Sequence, residues 1–97
     1  MTKKKLTVRS EQGLHARPAD LFVRTANRFQ SEILVMNLTS GTGPANAKSI
    51  LRVLALGVYN GHRIEISTEG DDEEEAMGAI SHLIETNFKN HQQKEAV

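Results

Sequence analysis

Hydrophobic and polar residues follow several different spacings along the chain, and each spacing predicts an element. Residues 5–10 alternate strictly, which predicts a half-buried strand with Leu6 and Val8 on its inner face. From Ala16 onward, apolar residues recur at helical spacing. Pro18 suits the first turn of that helix, where a backbone N–H would have no intrahelical acceptor. The apolar stripe of this helix consists of Ala19, Phe22, Val23, Ala26 and Phe29.

The middle of the chain predicts an inner strand followed by an edge strand. Residues 32–38 have apolar side chains on both faces, as expected for a strand that is at least partly covered on each side. The segment 39–46 is rich in turn-forming residues and is expected to contain a short third strand. Pro44 would restrict that strand to a sheet edge, because proline has no N–H for the ladder.

Residues 48–57 predict a short helix with a largely apolar surface. Ser49 is a suitable N-cap, and Gly57 suits the position just after the helix. The apolar residues of this segment are Ile50, Leu51, Val53, Leu54 and Leu56. They are too many for one buried stripe on so short a helix, so some of them are expected to be exposed.

A strand and a longer helix complete the predicted elements. Residues 63–68 follow an Asn-Gly turn and alternate, with Ile64 and Ile66 inward. Residues 71–88 predict a helix, and the acidic cluster at its start is expected to cap it and complement its dipole rather than to hold a metal. Residues 89–97 form a polar tail that is expected to fray. The stripe of the last helix consists of Ala76, Met77, Ile80, Leu83, Ile84 and Phe88.

The element order predicts an α+β domain with two layers, an antiparallel sheet with helices on one face. With 97 residues, 38% of them apolar, the chain fits a single domain over residues 1–97. Twelve basic residues balance twelve acidic ones, which argues against a general nucleic-acid or membrane binder. The chain has no cysteine, no signal-peptide pattern and no apolar stretch of about 20 residues. We therefore expect a cytoplasmic protein without membrane insertion.

The string 13-GLHARPA-19 places a histidine and an arginine at the join between the first strand and the first helix. The N-terminus of a helix carries about half a positive charge, which attracts anions and disfavours a protonated imidazole. His15 is therefore expected to be neutral, with a lone pair that can attack an electrophile such as a phosphoryl group. Arg17 would pair with the anionic product, and the N–H groups of Ala16 and Arg17 would cradle it.

The spacing of His15 and Arg17 alone leaves another interpretation open. A histidine at a helix start is also consistent with a capping or surface residue, with Arg17 as a solvated neighbour. Of the remaining histidines, His62 follows a turn and is expected to be solvated, while His82 flanks a buried stripe and His91 lies in the tail. No metal-ligand spacing is present, so no metal or other cofactor is expected.

Taken as a whole rather than as the spacing of His15 and Arg17, the string 13-GLHARPA-19 resembles the active-site motif of HPr. HPr is the histidine-containing phosphocarrier family of the bacterial phosphoenolpyruvate:sugar phosphotransferase system. Further blocks are similar to the family in the same order, namely 29-FQSEI-33, 47-AKSILRVLALG-57 and 64-IEISTEGDDEEEA-76. The resemblance covers about residues 4–88. It implies an open-faced β-sandwich, a four-stranded antiparallel sheet with three helices on one face in the order βαββαβα.

The resemblance also implies a function. His15 would take a phosphoryl group on Nδ1 from phosphorylated enzyme I and pass it to a sugar-specific enzyme IIA, with Arg17 as the phosphate partner. The chain would be a monomeric phosphoryl carrier rather than an independent enzyme. Ser49 matches the serine that HPr kinase/phosphorylase modifies in some bacteria. The positions that match the partner-docking surface are Arg24, Ile50, Leu51 and Leu54.

Three features depart from the family pattern. The segment 37–46 is about three residues longer than the usual hairpin, and it is expected to lie away from the histidine and to be tolerated. Asp20 places a negative charge one turn after the site, which is expected to weaken phosphorylation or to alter partner preference. Arg52 adds a charge to the docking helix. These two charges leave a specialised paralogue open.

A regulatory paralogue is therefore the alternative function. It would be a phosphorelay without sugar transport, or a binding module that docks on a transcription factor or an enzyme and is switched by phosphate on Ser49. The resemblance implies that family members of the binding-module class lack the active-site histidine. His15 thus argues against a purely regulatory role.

Overall fold

The computed structural model describes residues 1–88 as one small α+β domain. The predicted polar tail 89–97, with His91, lies outside the described residues. The elements are β1 (Thr2–Thr7), α1 (Ala16–Ala26), β2 (Glu32–Asn37), β3 (Thr42–Asn46), α2 (Ile50–Ala55), β4 (Arg63–Glu69) and α3 (Glu73–Glu85). This order confirms the predicted arrangement of strands and helices.

The strands form one antiparallel sheet in the order β1-β4-β2-β3. β3 lies at an edge, as Pro44 predicts, and β2 lies inside the sheet. Helix α3 packs on β1 and β4, α2 contacts β3, and α1 packs against α2 and α3. The three helices thus cover one face of the sheet, which confirms the open-faced sandwich. Within residues 1–88, no helix is long and apolar enough to cross a lipid bilayer.

The core lies between the helices and the covered face of the sheet. Ile33 and Val35 of β2 and Ile64 and Ile66 of β4 are fully buried there, with Phe22 of α1. The other face of β2 is only partly covered, and its apolar side chains line a shallow cavity of about 270 Å³ on the open face of the sheet. Apolar residues on both faces of this strand therefore reflect two environments, a dry core and an open surface.

The first strand begins earlier than its alternation predicts. β1 covers Thr2–Thr7, whereas the sequence pattern favoured residues 5–10. Three consecutive lysines hide the strand signal because all three are exposed, as charged residues on an edge strand commonly are. Val8 is still fully buried, and its N–H donates to the carbonyl of His62 at 2.9 Å although it lies outside the strand.

The acidic cluster at the start of α3 makes specific hydrogen bonds to other parts of the chain, beyond complementing the helix dipole. Asp72 is the N-cap but makes no side-chain hydrogen bond to its own helix. Its carboxylate accepts hydrogen bonds from the N–H groups of Gln30 and Ser31, both at 2.9 Å, and from the Ser31 hydroxyl. The prediction that these acids cap their own helix is therefore wrong for Asp72, which instead joins the start of β2 to α3.

Glu73 likewise bonds outside its helix. Its carboxylate accepts hydrogen bonds from the N–H of Gly70 at 3.1 Å and the hydroxyl of Thr2 at 2.9 Å, and it pairs with the amino group of Met1 at 3.1 Å. The Ser31 hydroxyl lowers the pKa of Asp72 foremost, and the Gly70 N–H lowers that of Glu73. Within residues 1–88, no group of three side chains is arranged to hold a metal ion.

Candidate functional site

His15 lies where the chain leaves the sheet and enters α1. It occupies the N-cap position with an extended backbone, φ −131° and ψ 166°, and its side chain makes no capping hydrogen bond. Only its backbone carbonyl takes part in the helix, accepting from the N–H of Ala19 at 3.4 Å. The side chain of His15 therefore does not cap α1, so the capping part of the alternative is wrong, and its surface part is not tested by this contact.

The two ring nitrogens of His15 have different environments. Nε2 is buried and has no hydrogen-bond partner. Within residues 1–88, Nδ1 makes no hydrogen bond either, but it is not buried as Nε2 is, so solvent can reach it. The orientation of the ring thus presents one nitrogen to an incoming reactant and hides the other.

The predicted anion cradle follows directly after the histidine. Ala16 and Arg17 are the first two residues of α1, and both are exposed. Their N–H groups belong to the helix end that lacks intrahelical acceptors, and Pro18 contributes no N–H of its own. Ala16 adopts a left-handed backbone with φ 53°, which is uncommon for a residue with a side chain.

Arg17 lines a shallow cavity of about 470 Å³ beside the histidine motif. The cavity lies between the segment after β1, the start of α1 and the end of α3, where Ser10, Pro18 and Phe88 contribute to its wall. Arg17 is exposed, and His15 does not line this cavity, so the role of Arg17 as a phosphate partner stays a prediction.

Tyr59 is a site residue that sequence reasoning missed. Its ring packs on the imidazole of His15 with centroids 5.0 Å apart and an interplanar angle of 34°. On the other side it meets the ring of His62 edge-on, with centroids 5.8 Å apart. Asn60-Gly61 signals a turn, but no local pattern shows that this turn lies against His15.

His62 is not simply a solvated residue, so that prediction is wrong. Its side chain is half-buried, and its Nδ1 accepts a hydrogen bond from the N–H of Tyr59 at 3.2 Å. The amide nitrogen of the fully buried Asn37 lies 3.3 Å from the same Nδ1. His62 therefore supports the turn that carries Tyr59.

The longer segment 37–46 contacts the segment after α2, and its expected separation from the histidine motif stays a prediction. Asn37 donates to the carbonyl of Leu56 at 3.1 Å, and the Thr42 hydroxyl donates to the same carbonyl at 2.9 Å. This hairpin therefore contacts the segment between α2 and β4, which carries Tyr59. The end of β2 and the start of β4 are paired at this end of the sheet, so the two segments must meet.

Helix α2 has the exposed apolar surface that the sequence predicts. Leu51 is 76% exposed and Ile50 40% exposed, whereas Val53 is fully buried and anchors the helix to the core. Leu54 is half-buried and packs against the core. We call Ile50, Leu51 and Leu54 the α2 face.

Ser49 caps α2 as predicted, because its hydroxyl accepts a hydrogen bond from the N–H of Arg52 at 3.4 Å. The side chain of Arg52 lies in an exposed position on the same short helix. A phosphate on Ser49 would therefore enter next to both a helix N-terminus and an arginine.

Asp20 pairs with Arg24 rather than standing alone near His15. Both carboxylate oxygens lie 3.0 Å from Nε of Arg24, one turn further along α1. The pair is exposed, so its free energy is small, but it offsets the charge of Asp20 locally. His82, by contrast, is exposed on α3, as its position beside the stripe predicts.

Comparison with known proteins places these features in a family. Residues 2–86 match the family described as the PTS HPr component phosphorylation site. The chain is 51% identical over 78 residues to the multiphosphoryl transfer protein of Salmonella typhimurium strain LT2, covering 79% of this chain and 20% of that protein. The chain therefore spans about a fifth of the length of this relative. It is 45% identical over 85 residues to the HPr-like protein Crh of Halalkalibacterium halodurans, covering 88% of this chain and 98% of Crh.

Solved structures agree with this likeness over the whole fold. HPr-C-His from Thermoanaerobacter tengcongensis gives a TM-score of 0.84 at 44% identity, covering 93% of this chain and 98% of that one. The phosphocarrier protein HPr from Bacillus anthracis strain Ames gives 0.79 at 41% identity, covering 86% and 95%. A dimer of the Thermoanaerobacter HPr gives 0.68 at 45% identity, covering 91% and 98%. Because the family match covers residues 2–86 and the relatives match most of the chain, the chain belongs to the HPr family.

Proposed function

We propose that this chain is a phosphocarrier of the phosphoenolpyruvate:sugar phosphotransferase system, with His15 as the phosphoryl acceptor. The single observation that carries the proposal is the ring orientation of His15, which hides Nε2 and leaves Nδ1 open at a helix N-terminus. Phosphorylated enzyme I would be the donor and enzyme IIA components the acceptors. The cytoplasmic location and the monomeric state stay predictions.

The transfer step needs no second catalytic group on this chain. The Nδ1 lone pair attacks phosphorus, and the bond between phosphorus and the donor atom breaks as the new N–P bond forms. The electron pair of the broken bond stays with the donor. The positive end of α1, with Arg17 beside it, stabilises the phosphoryl charge on this side.

The α2 face would receive the partner proteins. Leu51 and Ile50 offer exposed apolar area on the helix, and the exposed ion pair of Arg24 with Asp20 adds polar contacts on α1. Such a small apolar patch suits brief encounters, as a carrier that must leave one partner for the next requires. Phosphorylation of Ser49 by an HPr kinase/phosphorylase would place a dianion beside this face and weaken docking.

A regulatory paralogue is the second candidate. The likeness to Crh over nearly its full length favours it, because Crh is described as HPr-like rather than as a phosphocarrier. A binding module would use the α2 face and Ser49 but would not need an open Nδ1 on His15. The exposed nitrogen of His15 therefore favours the carrier role.

The proposal is tested by incubating the protein with phosphoenolpyruvate, magnesium ions and purified enzyme I from the same host. We expect acid-labile phosphate on His15, located by mass spectrometry, and no labelling of His15→Ala with the fold retained. His82→Ala is the matched control, because this histidine is exposed on α3 and should leave labelling unchanged. If the native protein stays unlabelled by an active enzyme I, the regulatory paralogue becomes the better explanation.

A further inference from the structure

Two aromatic rings stand on one side of His15, and neither belongs to the histidine motif. The Tyr59 ring packs on the imidazole at 5.0 Å between centroids, and the His62 ring meets Tyr59 edge-on at 5.8 Å. Tyr59 is 59% exposed, so its ring covers the imidazole from the surface rather than from within the core. Offset or tilted ring contacts of this kind have a preferred geometry and restrict rotation of both side chains.

The backbone fixes the separation between the two chain segments. The N–H of Leu14 donates to the carbonyl of Val58 at 3.0 Å, immediately before His15 and Tyr59. Gly13 permits this approach, because a Cβ atom there would lie 2.1 Å from the carbonyl oxygen of Val58 and 2.7 Å from the Cα of Tyr59. Gly13 also has a left-handed φ of 64°, a backbone conformation that glycine adopts without a steric penalty.

Hydrogen bonds from other parts of the chain fix the turn that carries Tyr59. Nδ1 of His62 accepts the N–H of Tyr59 at 3.2 Å, so the lone pair of this ring is at Nδ1. Asn37 is fully buried, approaches the same nitrogen at 3.3 Å and donates to the carbonyls of Leu56 and Gly57 at 3.1 and 3.3 Å. The position of Tyr59 is thus determined by hydrogen bonds from three parts of the chain.

We propose that Tyr59 is a positioning residue for the reaction of His15: its ring, held by His62, restricts the imidazole so that Nδ1 alone meets the phosphoryl donor. This role rests on the proposed function of His15. The buried, unpartnered Nε2 is the observation that ring packing explains, since a freely rotating imidazole would expose either nitrogen to water. Restricting a nucleophile to its reactive orientation lowers the entropic part of the barrier.

The test compares Tyr59→Ala with Tyr59→Phe, which keeps the ring and loses only the hydroxyl. Side-chain couplings and nuclear Overhauser effects from the ring protons, in NMR spectra of the unphosphorylated protein, report the χ1 and χ2 distributions of His15. We expect one rotamer in the native protein and in Tyr59→Phe, and averaging over several in Tyr59→Ala. With enzyme I as donor, we expect kcat for Tyr59→Ala to fall about tenfold. A detectable fraction of its phosphohistidine should be the Nε2 isomer, which phosphorus NMR distinguishes from the Nδ1 isomer.

A second pair of variants tests the support from His62. His62→Asn retains an acceptor in reach of the Tyr59 N–H, whereas His62→Ala removes it, so only the latter should reproduce part of the Tyr59→Ala effect. An unchanged rotamer distribution in Tyr59→Ala overturns the proposal, and so does a change confined to KM, which would make Tyr59 a docking contact. If enzyme I does not label the native protein, the proposed function of His15 fails, while the rotamer comparison still decides whether Tyr59 orients the ring.

Discussion

Ala16 shows how a single backbone position serves the site. It follows His15 directly and has a left-handed φ of 53°, although it is not glycine. This conformation turns the chain from the extended N-cap into the helix. Backbone conformations of this kind persist where the surrounding structure enforces them, and they are frequent at functional sites.

Ala16→Gly is predicted to stabilise the fold. Glycine adopts the left-handed region without the Cβ penalty, which alone would raise the free energy of unfolding by about 1 kcal/mol. The greater conformational entropy of glycine in the unfolded chain offsets part of this gain. Urea unfolding of the two proteins measures this difference. Ala55→Gly, in an exposed position on α2, is the matched control and should lose stability. A loss of stability in Ala16→Gly as well would contradict the strained backbone.

Helix α2 separates its structural and its interaction roles by position. Val53 is fully buried, Leu51 is largely exposed, and Ser49 caps the helix from its N-terminus. Six residues make a helix too short to be stable by itself, so its stability comes from Val53 and the core beneath it. The exposed side chains are free to serve partners.

Leu51→Ala and Ser49→Asp are predicted to weaken docking with enzyme I without changing the chemistry. We expect KM for enzyme I to rise about tenfold while kcat stays near that of the native protein. The unfolding free energy of Leu51→Ala should change by less than about 0.5 kcal/mol, since the side chain is exposed. Val53→Ala, at a buried position, is the control with the opposite expectation. Its free energy of unfolding should fall by about 2 kcal/mol while its KM for enzyme I stays unchanged. An unchanged KM in Leu51→Ala would remove the α2 face from the proposed docking surface.

The molecule as a whole is joined across its layers by carboxylates at the start of α3. Asp72 bonds to the start of β2, and Glu73 bonds to β1 and to the amino group of Met1. These bonds lower the pKa of both carboxyl groups below their ordinary values of 3.8 and 4.5. The same groups that join the layers therefore link stability to pH.

Acid is predicted to destabilise the fold through these two groups. A lowered pKa in the folded state stabilises the protein above the unfolded-state values, and that contribution is lost as the pH falls through the folded-state values. Midpoints of urea unfolding should therefore fall with decreasing pH, beginning near the ordinary values of 3.8 and 4.5. Asp72→Asn should be less stable at neutral pH and show a shallower acid dependence. Glu74→Gln, an exposed neighbour, should keep the native slope. Equal slopes for all three proteins would contradict the assignment.

Much of this architecture could be predicted from the sequence, because periodicity reflects burial. Ile64 and Ile66 face the core as their alternation indicates, and Ser49 caps α2 as its position indicates. The packing of Tyr59 on His15 could not be predicted, since it joins residues far apart in the chain and leaves no local pattern. Asp72 was misassigned for the same reason, because its partners, Gln30 and Ser31, lie just before β2 rather than on its own helix.

The position of β4 within the sheet has a consequence for the time at which the site forms. β4 pairs with both β1 and β2, yet it is the last strand among residues 1–88. During synthesis, β1 has no strand partner until β4 emerges, and the segment around Leu14 cannot bond to Val58 before then. Such non-local pairing is slow compared with local helix formation. A nascent chain therefore carries His15 without an ordered site until Val58 and β4 have been made, and the nucleophile is assembled only when the domain is nearly complete.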